Sequence, residues 1–138
     1  MKLDLHFREF YPHPIEAVWT AITDPEALAI WLMPNDSEPR VGKRFTFRRN
    51  PTPEWRDSIE CEMLVLEAPS RLVWSWKSSE GSTPGRVEIR LRAVEGGTEL
   101  ILDHTGEPDP QRRAGYQSGW PGKFAALRNQ LSLAEQKH

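Results

Sequence analysis

Pro14-Ile15-Glu16-Ala17-Val18-Trp19-Thr20-Ala21-Ile22-Thr23-Asp24-Pro25-Glu26 is the stretch on which the fold turns. Ile15, Val18, Trp19 and Ile22 recur at i, i+3, i+4 and i+7, which gives a short helix with one apolar stripe facing a core. His13-Pro14 opens it with proline at its first position, where a missing backbone amide does no harm. Asp24-Pro25 then repeats the start signal. The aspartate caps free amides and the proline sets the first turn, so a second short helix follows, carrying Leu28, Trp31 and Leu32.

Upstream, residues 3 to 11 alternate, with Leu3, Leu5, Phe7 and Glu9 on one side, and read as a first strand ended by Pro12. Downstream, Pro34 to Pro39 is a loop, and Arg44-Phe45-Thr46-Phe47-Arg48 alternates strictly as strand two, with both phenylalanines on one face. A turn at Asn50-Pro51-Thr52-Pro53 leads to strand three, where Ile59, Cys61, Met63 and Val65 share the inner side. Strand four carries Leu72, Trp74 and Trp76 inward. After the Gly81 to Gly85 loop, Val87, Ile89 and Leu91 mark strand five, Gly96-Gly97 a hairpin, and Leu100, Leu102 and His104 strand six. Two helices set between the first strand and five more, with a helix at the end, indicate α+β with an antiparallel sheet rather than a doubly wound one.

The final helix presents Trp120, Phe124, Leu127 and Leu131 on one apolar face. Pro121 removes a backbone bond and clashes one turn back, at a cost of about 3 kcal/mol, which predicts a kink or a restart there. Gly115, Gly119 and Gly122 weaken the same turn, so residues 111 to 119 are expected to form a separate, looser turn.

The chain has 138 residues, which suits one domain spanning residues 1-138 and one hydrophobic core. A net charge of −2 with signs interspersed offers no basic stripe for nucleic acid or an anionic membrane. The single cysteine, Cys61, excludes an internal disulfide, and no Cys/His cluster has zinc spacing, so a cytoplasmic protein without metal or other cofactor is expected. No apolar signal core or membrane span is present in the sequence.

With this order in place, Pro14 to Glu26 with Trp31 following, Gly97-Thr98-Glu99-Leu100 with His104, and Gly119-Trp120 followed by Leu127 and Leu131 resemble the SRPBCC, START-like (Bet v 1-like) superfamily. Within it they resemble the small proteins homologous to the C-terminal domain of the Hsp90 ATPase activator. The resemblance covers nearly the whole chain. It implies a helix-grip fold, with a curved six-stranded antiparallel sheet wrapped around the long C-terminal helix and two short helices closing one end of a cavity. It implies no single activity, since members bind lipids, sterols, polyketides or hormones, act as cyclases or dehydratases, or bind protein partners.

Trp31, Phe45, Phe47, Met63, Trp74, Trp76, Val87, Ile89, Leu102, His104, Tyr116, Trp120 and Phe124 are the candidate ligand-binding residues. They converge between concave sheet and helix, and such a lining suits an apolar or aromatic molecule. The competing reading is that they simply fill the core. His104 could bond a ligand carbonyl or act as acid or base, against a structural role bonded to backbone or to Tyr116. Asp103 must face outward if His104 faces inward, so the pair makes no dyad. Cys61 reads as a small buried hydrophobe. Arg44, Arg48, Arg90 and Arg92 read as the solvated side of the sheet, from which a ligand carboxylate could recruit one. Trp55 reads as a partner anchor, a lid or a stray surface aromatic. No hydrolase elbow, phosphate loop or metalloprotease pattern occurs.

The leading expectation is a protein that binds a small hydrophobic molecule. The alternatives are a cyclase or dehydratase acting through His104 or Tyr116, and a partner of an Hsp90-type chaperone. The chaperone reading is weakened by the lack of a separate N-terminal module. A homodimer is left open.

Overall fold

The computed structural model describes residues 3–48, 58–78, 85–106 and 110–136. The turn at Asn50 to Pro53, Trp55 and most of the Gly81 to Gly85 loop lie outside them. The elements run β1 (Leu3–Tyr11), α1 (Ile15–Thr23), α2 (Pro25–Trp31), β2 (Arg44–Arg48), β3 (Ser58–Glu67), β4 (Arg71–Ser78), β5 (Gly85–Val94), β6 (Gly97–Gly106) and α3 (Pro110–Gln136). The strands form one antiparallel sheet in the order β1-β6-β5-β4-β3-β2, an α+β helix-grip arrangement in which the curved sheet holds α3. β1 joins β6 from Leu3 opposite Gly106 to Tyr11 opposite Thr98, so the two helices after β1 lie between sequence-distant partners.

Local chemistry explains the short helices. Asp24 caps α2 by accepting the Ala27 amide at 3.4 Å, and Pro25 stands at its first turn. Pro14 is the N-cap of α1 rather than its first helical residue, one position earlier than expected. The Trp31 indole N–H donates to the Ala21 carbonyl at 2.8 Å and ties α2 to α1.

The strand periodicity holds in β2, β5 and β6, where Phe45, Phe47, Val87, Ile89, Leu91, Leu100, Leu102 and His104 are all buried. In β3 it fails after Met63. The pairing register shifts between Met63 and Val65, so Leu66 faces Leu72 and packs on the core while Val65 moves to the other face opposite Val73. The inward position expected for Val65 is corrected by this bulge, which inverts side-chain parity downstream. The Ser75 hydroxyl accepts the Glu62 amide at 2.8 Å next to it.

The expectations of a restart at Pro121 and of a separate turn over 111–119 are also corrected: α3 is one helix from Pro110 to Gln136. Tyr116, Trp120, Phe124, Leu127 and Leu131 are buried on one side, and that packing outweighs the proline penalty. Pro121 and Gln117, whose carbonyl loses its helical partner, both lie on the exposed side, where solvent reaches the carbonyl.

The outer face of the sheet is an ion-pair lattice, with Arg44 on Glu62, Arg71 on Glu67 and Glu88, Arg90 on Asp103 and Arg92 on Glu99. Asp103 faces outward, opposite in parity to His104. No helix among the described residues is long and apolar enough to cross a membrane.

Candidate functional site

Polar contacts tie α3 both to the sheet and to α2. Trp120 donates its indole N–H to His104 Nδ1 at 3.0 Å, joining α3 to β6. The Tyr11 hydroxyl donates to the Phe124 carbonyl at 3.2 Å, joining α3 to β1, and Arg128 stacks over the same ring at 4.8 Å. Lys123 Nζ donates to the Leu32 carbonyl at 2.8 Å and joins α3 to the end of α2.

Behind Trp120 the aromatic rings pack in edge-to-face and tilted pairs. Phe47 meets Trp74 at 5.4 Å and Trp76 at 5.7 Å, and Trp76 meets His104 at 5.3 Å and Trp120 at 5.9 Å. His104 is 1 % exposed, and burial lowers its pKa from 6.5 to about 4. It is therefore neutral near pH 7. Because Nδ1 accepts from Trp120, the ring proton belongs on Nε2. Burial alone pushes the Cys61 thiol up, away from reactivity.

Between α2 and α3 lies a partly open cleft of about 620 Å³. One wall is Ala29 to Pro34, the other is Tyr116, Gly119, Trp120, Gly122, Lys123 and Ala126, and the floor is Ile59 and Trp76, with Arg48 bordering it from the end of β2. Gly119 and Gly122 leave the α3 backbone bare on this side, and a Cβ built on either meets nothing within 4 Å.

The structure brings all the candidate side chains into one buried aromatic and aliphatic cluster, but they divide into two sets. Trp31, Trp76, Tyr116 and Trp120 border the cleft. Phe45, Phe47, Met63, Trp74, Val87, Ile89, Leu102, His104 and Phe124 lie outside that lining, packed against one another. The cleft residues that sequence reasoning missed include Ile30, Leu32, Met33, Gly119, Gly122 and Lys123. A pair of glycines three apart with a lysine beside them, on the helix that carries Trp120, was the available signal. Trp76 Nε1 is buried without a hydrogen-bond partner among the described residues, as is Trp74 Nε1. Among the described residues no group of three or more His, Cys, Asp or Glu could hold a metal ion.

The family described as Activator of Hsp90 ATPase homolog 1-like protein matches residues 12–132. The chain belongs to this family. As an AHSA1-like protein it is similar to the MLL2253 protein of Mesorhizobium loti, at 30% identity and a TM-score of 0.84, over 94% of this chain and 96% of that one. CalU16 from Micromonospora echinospora is 28% identical with a TM-score of 0.77, over 97% of this chain and 79% of CalU16. DynU16, from the dynemicin biosynthetic locus, shares the fold at 22% identity and a TM-score of 0.82, over 94% of this AHSA1-like chain and 47% of DynU16. No curated protein matches the chain in sequence.

Proposed function

We propose that this AHSA1-like protein binds a small, predominantly apolar molecule in the cleft between α2 and α3. The observation that carries the reading is the cleft itself, a half-open space of about 620 Å³ walled by Trp31, Trp76, Tyr116 and Trp120. That volume falls within the range of small-molecule sites, as does a mostly apolar wall with few polar groups. Among the described residues the aromatics between sheet and helix are buried against one another, which favours a place for the ligand beside the gripped helix over one beneath it.

Binding is favoured over turnover because His104, the residue best suited to acid–base work, is not among the lining residues and its Nδ1 is taken by Trp120. The test is a titration with N-phenyl-1-naphthylamine, a neutral aromatic dye, read by dye emission under tryptophan excitation. Saturable binding that Gly122→Leu removes supports the reading; the same binding in the Gly122→Leu variant, or none in the wild type, overturns it.

A further inference from the structure

We infer that the ligand of the α2–α3 cleft is an amphiphile with an anionic head group, held by Arg48 and by the indole N–H of Trp76. This rests on the binding role proposed above and narrows the chemistry of what binds.

Three tryptophans border the cleft, and their N–H groups differ. Trp31 spends its own on the Ala21 carbonyl and Trp120 on His104 Nδ1. Trp76, 4 % exposed, has no acceptor among the described residues. An indole nitrogen can only donate, and a buried donor left unmet costs about 1–3 kcal/mol. Trp74 has the same deficit but does not border the cleft, whereas the Trp76 side chain does. Of the two only Trp76 is placed beside a bound molecule, its N–H reached by a small shift of the ring.

The charges point the same way. Arg44, Arg71, Arg90 and Arg92 of the sheet each hold a carboxylate. Arg48 borders the cleft, and among the described residues no acidic side chain pairs with it. Lys123 adds a second positive charge while bonded to the Leu32 carbonyl, and no Asp or Glu is among the described lining residues. A guanidinium fork matches a carboxylate, sulfonate or phosphate, and such charge-assisted bonds are about twice as strong as neutral ones. Ile30, Leu32, Met33 and Ala126 leave the rest of the cleft apolar, so the tail must be apolar too.

Two dyes with one aromatic framework separate head from tail. 8-Anilinonaphthalene-1-sulfonate carries an anionic group that N-phenyl-1-naphthylamine lacks. At low ionic strength the sulfonate is expected to bind about tenfold tighter, with the advantage shrinking as salt rises. Arg48→Gln, a substitution of an exposed side chain, and Trp76→Phe are each expected to bring the affinity ratio close to one. Near-UV circular dichroism checks that both variants are folded, and Arg48→Gln suffices where Trp76→Phe is not. If the neutral dye binds as tightly as the sulfonate, or Arg48→Gln leaves the ratio unchanged, the anionic head group is wrong while the binding role stands. If neither dye binds, the binding role itself fails.

Discussion

His104 and Trp120 form one unit across the sheet–helix interface: the indole N–H of α3 ends on Nδ1 of a histidine that is 1 % exposed on β6. A protonated imidazole would turn that acceptor into a donor facing a donor, inside a ring of aromatics.

Stability should therefore depend on acid. In the unfolded chain His104 takes its proton near the ordinary 6.5, whereas in the fold it does so only near 4. The unfolded state binds more protons between these values, so stability is full above pH 6.5 and declines as pH falls towards 4, by about 3 kcal/mol. His6 works oppositely: its hydrogen bond to Asp103, then Asp4, raises its pKa, so its exposed contribution is present at low pH and fades above the raised value. Because carboxylates also titrate near pH 4, urea unfolding from pH 4 to 7.5 compares His6→Gln with His6→Gln/His104→Asn, and the difference in slope belongs to His104. Equal slopes would show that His104 does not titrate as described.

Trp120→Phe removes the donor and leaves buried Nδ1 unmet, with space where the indole stood. Unfolding free energy is expected to drop by about 2–4 kcal/mol, measured by chemical denaturation. A loss under 1 kcal/mol would mean that the bond contributes little to the grip.

Among the described glycines, Gly97 has the least room for a side chain. A Cβ there would lie 2.1 Å from the Tyr11 carbonyl oxygen and 2.9 Å from Pro12 Cα. Gly97→Ala must push β6 away from the end of β1, and a loss of about 3 kcal/mol or more is expected by thermal and chemical unfolding. Gly96, at φ +82°, is different: its substitution strains the hairpin turn without such a clash.

Gly119 and Gly122 lie inside α3 with open space where a side chain would go. Alanine at either position should raise stability by about 1 kcal/mol through helix propensity. A larger residue at Gly122 should keep that gain but obstruct the cleft, so stability and dye binding are expected to move in opposite directions.

The strands and both short helices were legible because each follows from a local rule. Phe45 and Phe47 alternate, Asp24 and Pro25 start a helix, and Gly96-Gly97 turn a hairpin. The bulge after Met63 was not, since parity there depends on how β3 meets β4 across a turn. The unbroken α3 was not either, because Tyr116, Trp120 and Phe124 hold both sides of Pro121 through contacts made by distant strands. Of the candidate site, the aromatic cluster was visible as a set of inward faces. The cleft was invisible because it arises where segments 29–34 and 116–126 fail to fill space, and bare glycine backbone leaves no periodic mark.

The most direct measurement is the indole N–H region of a proton–nitrogen NMR spectrum, recorded while N-phenyl-1-naphthylamine is added. The signals of Trp31, Trp76 and Trp120 should shift together and saturate, while that of Trp74, packed away from the cleft, stays in place. Shifts led by Trp74, or no saturable shift among the cleft tryptophans, would contradict a binding site between α2 and α3.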